Sequence, residues 1–190
     1  MGAKVGKIET VITYLEMTSA PLTVPPRQPK GPVAIMRADP PTVSFYRYLY
    51  NTVGAEYTWW ERRVMSDDDL AAVILSDHVD IYVLYVGGTP AGFYELLTIP
   101  ETNDIEIALF GILPEFVGCG YGAYLLRVAI DEAWQRGPAR LIVNTCTLDH
   151  PMALPNYQRA GFVPYDQKTR MIDDPQALGL FDEQLPRRPE

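Results

Sequence analysis

The stretch Ile105–Ala123, IEIALFGILPEFVGCGYGA, decides how this chain folds. Ile105 to Leu113 is apolar at nearly every position, as expected of a central strand covered on both faces. Pro114 leads a short turn, after which Gly118, Gly120 and Gly122 alternate. A helix-period run then spans Tyr121 to Arg136, with Leu126, Ala129, Ile130, Ala133 and Trp134 facing inward and Arg127, Asp131 and Gln135 outward. Gly137-Pro138 stops it. A strand feeding a glycine-rich turn that opens a helix aims successive backbone N–H groups at one point, at the positive end of the helix dipole. That is a phosphate cradle. The loop is expected to hold the pyrophosphate of a nucleotide-containing cofactor.

The surrounding chain has 190 residues, enough for one domain with a full core. Its hydrophobic fraction of 47% and charged fraction of 21% are those of an ordinary globular protein. The formal net charge is −8, and basic residues cluster only at Arg62-Arg63 and Arg187-Arg188. A nucleic-acid partner is disfavoured, because phosphate neutralisation needs a basic face. Cys119 and Cys146 are the two cysteines, and their spacing matches no metal or redox motif. With only His78 and His150 as histidines, no metal site is expected. No apolar run approaches the ~20 residues that span a bilayer, and the N-terminus shows no signal-peptide core. The expectation is a cytoplasmic protein with no membrane partner.

Working outward, Val11 to Met17 is strand-like, and Ala20 to Pro32 holds too many prolines for regular structure. Residues 1–32 are therefore assigned to an N-terminal strand and Pro-rich arm, which leaves room for a homodimer. Val33 to Arg37 suits a short strand. Pro40-Pro41-Thr42 opens a helix with Phe45, Leu49 and Val53 on its apolar side and Gly54 as its stop. Trp59 and Trp60, in the aromatic run YTWWERR, either line an acceptor pocket or cover the core. Ser66 followed by three aspartates caps and starts a helix ending near Ser76. Ile81 to Val86 and Ala91 to Thr98 flank Gly87-Gly88 as a hairpin. Beyond the long helix come a strand at Arg140 to Leu148, a helix at Pro151 to Arg159, and strands at Gly161 to Tyr165 and Lys168 to Ile172. The domain is assigned to 33–173, with 174–190 a tail. The sum is an α/β (α+β) sandwich built on a mixed sheet.

Gly118-x-Gly120-x-x-Ala123 formally satisfies the dinucleotide fingerprint. Pro114 to Val117 makes the turn too long for it, however. About 20 residues on, where a ribose-binding carboxylate belongs, stands Ile142-Val143-Asn144-Thr145. A P-loop is excluded because no Gly-Lys-Ser/Thr follows.

Val117-Gly118-Cys119-Gly120-Tyr121-Gly122 instead resembles the [QR]-x-x-G-x-[GA] loop of the GNAT superfamily of acyl-CoA-dependent N-acyltransferases. Ala153 to Phe162 matches the family's later A-x-x-x-Y-x-x-x-G-F. The resemblance runs from Val79 to about Ile172. It implies a largely antiparallel sheet splayed at its central strands, with helices on both faces. It implies acetyl-CoA as co-substrate and a primary amine of a small molecule or peptide as acceptor. Backbone groups at Phe110 and Ile112 would pair with the pantetheine arm. The amides of Val117, Gly118, Cys119, Gly120, Tyr121, Gly122 and Ala123 would take the pyrophosphate. Val117 departs from the usual Arg or Gln, so the cradle relies on backbone. Cys119 fills a variable slot.

Direct acyl transfer needs a base for the amine and an acid for the leaving thiolate. Glu106 is the first candidate base: it stands in an apolar strand, on a face expected to include Ala108, Phe110 and Ile112. It also lies eleven positions before Val117, which resembles the catalytic glutamate of the histone-acetyltransferase branch. The plain alternative is a strand-end glutamate reaching solvent. Glu95, on the hairpin, is the second-choice base, facing the acceptor amine. Tyr157 occupies the family's general-acid position, with helix packing as its rival role. Asp149-His150-Pro151 is expected to cap the short helix. A different class of function, a non-catalytic acyl-CoA sensor or interaction module on the same fold, stays open.

Overall fold

The computed structural model describes residues 6–22 and 28–181. Parts of the Pro-rich arm and of the C-terminal tail (1–5, 23–27 and 182–190) lie outside the described residues.

Seven strands form one sheet: β1 Lys7–Met17, β2 Val33–Arg37, β3 Val79–Val86, β4 Thr89–Ile99, β5 Asp104–Ile112, β6 Leu141–Cys146 and β7 Val163–Asp173, in the order β2-β3-β4-β5-β6-β1-β7. Every neighbouring pair is antiparallel except β5 and β6. That parallel pair persists for only Ile105 to Ile107 against Leu141 to Val143, after which the two strands part. The sheet is thus mixed, largely antiparallel and splayed at its centre, as the resemblance implied.

Helices cover both faces. On one side lie α1 Val43–Gly54 and α2 Asp67–Ile74, on the other α3 Tyr121–Gln135 and α4 Ala153–Ala160. Thr42 caps α1 through the Phe45 amide, and Ser66 caps α2 through the Asp69 amide, so both starts fall where the sequence places them. Tyr46, Leu49, Tyr50 and Val53 of α1 form one core with Leu70 and Ile74 of α2 and Phe93 of β4. Leu125, Leu126, Ala129, Ile130 and Ala133 of α3 form the other, with Tyr94, Leu96, Ile105 and Ile107 of the sheet. Among the described residues the first core includes none of β6, β1 or β7, so its packing on that face of the sheet ends at β5.

Two features differ from the sequence reading. β1, grouped with the Pro-rich arm in the sequence reading, is an interior strand of the sheet, paired with β6 from Ile12 to Met17 and with β7 from Lys7 to Glu16. The boundary at residue 32 therefore separates two parts of one sheet. The two closing strands are also a single strand, β7, whose register shifts opposite Tyr14 and Leu15. A bulge there lets the chain absorb an extra residue without ending the pairing.

Gly111 marks where α1 meets β5. A Cβ built at Gly111 would run into Val53 Cγ1, so only glycine admits the helix at this distance. Gly111→Ala is expected to force α1 outward and to destabilise the protein by about 1–3 kcal/mol, measured by urea denaturation.

Candidate active site

The site begins with one extra residue. On β4, Glu95 pairs with Leu109 and Leu96 with Ile107, so Ala108 is bulged out of β5. The side-chain alternation reverses across it. Ile105 and Ile107 face α3 before the bulge, and Phe110 and Ile112 face α3 after it. Glu106 therefore does not share a face with Phe110 and Ile112. It points to the α1 side, together with its cross-strand partner Leu97 and with Leu109.

Where β5 and β6 part, residues 109–112 keep backbone partners on the β4 side alone. A cavity of about 390 Å³ occupies the gap. Phe110, Ile112, Gly118, Gly122 and Tyr157 line it. Tyr157 is 6% exposed, with its ring edge-on to Phe110 at 6.3 Å. Burial, then the negative charge of Asp149, pushes its phenol well above the ordinary value, so the hydroxyl keeps its proton.

The glycine loop closes one end of this cavity. Gly118 and Gly120 adopt φ of +83° and +84°, conformations that L side chains rarely enter. Gly122 is different: its φ is ordinary and it forms the second residue of α3. The loop consumes two of its own amides, Val117 donating to Pro114 at 3.3 Å and Cys119 to Phe116 at 3.4 Å. Gly120 caps α3 without a side-chain bond, which leaves the first-turn amides of Tyr121, Gly122 and Ala123 unpartnered within the helix. That donor set suits an anion.

A second cavity, of about 220 Å³, lies on the open sheet face. Trp59, Phe110, Tyr57 and Asp149 border both cavities, so the two meet there. Trp60 lines the second cavity only. Trp59 packs where a Cβ on Gly54 would collide with it, and its indole Nε1 donates to Asp149 at 3.3 Å. Asp149 also accepts from the Thr145 hydroxyl and the Cys146 amide, each at 2.8 Å. It ties the aromatic segment to β6 rather than capping α4. The turn into α4 is instead held by His150, whose Nδ1 accepts from the Met152 amide at 3.0 Å.

The two candidate bases part company. Glu95 is 1% exposed and lines neither cavity; Tyr46 donates to it at 2.6 Å and Arg62 at 2.9 Å. Burial raises its carboxyl against the pull of those two partners. Its place is to hold Arg62, and with it the segment carrying Trp59 and Trp60. Glu106 is half-buried and accepts from Asn144 Nδ2 at 2.9 Å, and Asn144 lines the second cavity. Burial raises the Glu106 carboxyl, the Asn144 bond opposes this, and the charge of Glu95 adds to it. Asn144 and Asp149 are the site residues that sequence reasoning did not assign. In the sequence Asn144 stands only where a ribose-binding carboxylate is absent.

Among the described residues no group of His, Cys, Asp and Glu is arranged to hold a metal, and no helix is long and apolar enough to cross a membrane.

Over residues 45–162 the sequence matches the acetyltransferase (GNAT) family. The chain belongs to that family. Comparison with curated proteins finds no match. Among solved structures, a GCN5-related N-acetyltransferase of Kribbella flavida aligns with TM-score 0.58 and 18% identity, over 90% of this chain and 60% of that one. A GNAT-family protein of Novosphingobium aromaticivorans DSM 12444 gives 0.56 and 18%, over 85% and 63%. An aminoglycoside acetyltransferase from an uncultured soil metagenomic sample, solved with sisomicin, gives 0.57 and 13%, over 68% and 87%. These are likenesses of fold, and the chain spans less than two thirds of the length of the first two.

In this GNAT chain, Glu95→Ala strands the Arg62 guanidinium and the Tyr46 hydroxyl. The expected loss is about 3 kcal/mol by urea denaturation, and Glu95→Gln should lose less.

Proposed function

We propose that the protein transfers an acetyl group from acetyl-CoA directly to a primary amine of a small molecule or peptide. The observation that carries this is the meeting of the two cavities at Trp59, Phe110 and Asp149, where β5 and β6 have parted. One cavity ends at unpartnered amides and runs along an unpaired strand edge, which suits pyrophosphate and an amide-rich arm. The other opens on a sheet face. Donor and acceptor can then be present together, with no acyl-enzyme required.

Acetyl-CoA enters as a substrate. The free amides of Gly118, Gly120, Tyr121, Gly122 and Ala123 supply donors for its pyrophosphate, and residues 109–112 supply the edge for its pantetheine. In the transfer, the acceptor nitrogen bonds to the thioester carbonyl carbon and the carbon–sulfur bond breaks. The nitrogen gives up a proton and the sulfur takes one. Tyr157 keeps its phenolic proton at neutral pH and presents it to the thiolate. Glu106 stands one hydrogen bond behind Asn144 and receives the amine proton through an intervening water.

Thioester consumption over a broad panel of amines tests the reading. Turnover on any amine supports it, and acetyl-CoA binding without turnover on every acceptor would instead make the protein a sensor of acyl-CoA. For Glu106 the pH dependence is specific. A carboxyl raised by burial must lose its proton to act, so kcat/KM falls as pH drops through a value above the ordinary carboxylate range of about 4.3. Asn144→Ala removes the bond that favours the charged form and should move that limb to higher pH. Glu106→Gln should remove the limb and lower kcat about 100-fold, with acetyl-CoA affinity retained. An unchanged profile in Glu106→Gln rules Glu106 out as the base.

A further inference from the structure

Arg170 faces the second cavity from β7, and it has no protein partner among the described residues. Every other described arginine has one. Arg37 and Arg136 pair with Asp80, Arg47 with Asp67, Arg62 with Glu95, Arg127 with Asp131, and Arg140 with Asp104 and Glu16. Arg63 and Arg159 donate to protein oxygens. The next cation on the same face, Lys168, is also engaged, 3.3 Å from Asp166 and over the Tyr14 ring. In a chain of net charge −8, one guanidinium left unpaired on a cavity floor is a local exception.

Its placement gives it reach. Arg170 pairs with Thr10 of β1, and Ile12 on the same face pairs with Cys146 of β6. Two inter-strand spacings, about 10 Å, thus separate β7 from the strand that borders the junction of the cavities. An extended arginine side chain covers much of that distance. Between the two ends the cavity is walled by Tyr57, Trp59 and Trp60 and floored by Ile12 and Ile172. The other charged groups on its lining are Glu61, which forms no ion pair with Arg170, and Asp149, which is already bound to three donors.

We infer that the acceptor is an amine that also carries an anionic group, a carboxylate or a phosphate, and that Arg170 selects it by binding that group. The inference rests on the acyltransferase reading of the site. A planar fork of N–H donors matches either anion in a two-point contact, which a lysine does not reproduce. The amine end lies at the junction, where it bonds to the acetyl carbon as thiolate and proton depart. The apolar body of the acceptor lies against the tryptophans. Arg170 positions and selects, and takes no part in the bond changes.

The test compares matched acceptors that differ only in the anion: phenylalanine and leucine with their methyl esters, and phosphoethanolamine with ethanolamine. In the parent protein at least one anionic member is expected to exceed its neutral counterpart about 10–100-fold in kcat/KM, through KM rather than kcat. In Arg170→Gln that ratio should collapse to about twofold or less, with Arg170→Lys between. The carboxylate and phosphate pairs show which anion is recognised. Equal kcat/KM within every pair, or a preference that survives in Arg170→Gln, overturns the inference. If no amine is turned over, calorimetric titration of the same pairs in the presence of CoA still decides it. An anion-dependent affinity lost in Arg170→Gln upholds the role of Arg170 although acyl transfer fails, and equal affinities reject it.

Discussion

One inserted residue, Ala108, sets the geometry on which the site depends. By bulging out of β5 it lets Ile107 and Phe110 face the same side of the sheet although they are three residues apart. The strand before the bulge serves β6, its parallel partner; the strand after it serves the cavity. A bulge also increases local twist and bends the strand, which fits the end of the β5–β6 ladder directly before Ala108. The same residue leaves Glu106 on the face opposite Phe110. Glu106 and the β5 lining of the first cavity are thus presented by a single strand on opposite faces of the sheet.

The aromatic wall of the second cavity is held by side chains anchored far away in sequence. Glu95 binds Arg62, and Asp149 binds Trp59, so the aromatic segment between α1 and α2 is tied to β4 at one end and to the edge of β6 at the other. Buried charge is costly unless it is paired and hydrogen-bonded, and Glu95 meets that condition with two donors. The carboxylate expected to face an acceptor amine is instead bound by Tyr46 and Arg62, and holds the segment that walls the second cavity. Gly54 and Gly111 act in the same sense, by leaving room for Trp59 and Val53.

This difference between the two sides explains what was legible in the sequence. The first cavity is edged by backbone: a glycine loop whose φ values leave a mark in composition, and a strand whose apolar run marks it as central. The central strand and the positive-φ glycine turn are both visible in residues 105–123. The bulge left no such mark, because alanine is unremarkable in a strand, and the face assigned to Glu106 was wrong for that reason. The partners of Glu95 stand 49 and 33 residues away, at Tyr46 and Arg62, and no periodicity relates them. Asp149 next to His150 and Pro151 has the composition of a helix cap. What it binds, Trp59 on another segment, is a property of the folded chain alone.

The same reasoning applies to β1. Its apolar pattern shows a strand, but nothing local tells that strand to enter between β6 and β7. Pairing Lys7–Glu16 with Val163–Asp173 closes a loop of about 150 residues, and such closure is a slowly growing entropic cost that the long ladder must offset. The consequence is functional as well as architectural. The floor of the second cavity is made jointly by Thr10 and Ile12 from the beginning of the chain and Arg170 and Ile172 from near its end. The first cavity, by contrast, is lined by residues between 53 and 157, all within the span that matches the family. Variation at the chain ends can therefore remodel the floor of the second cavity while the first keeps its shape, because the two are built from different lengths of chain and, among the described residues, share only Trp59, Phe110, Tyr57 and Asp149.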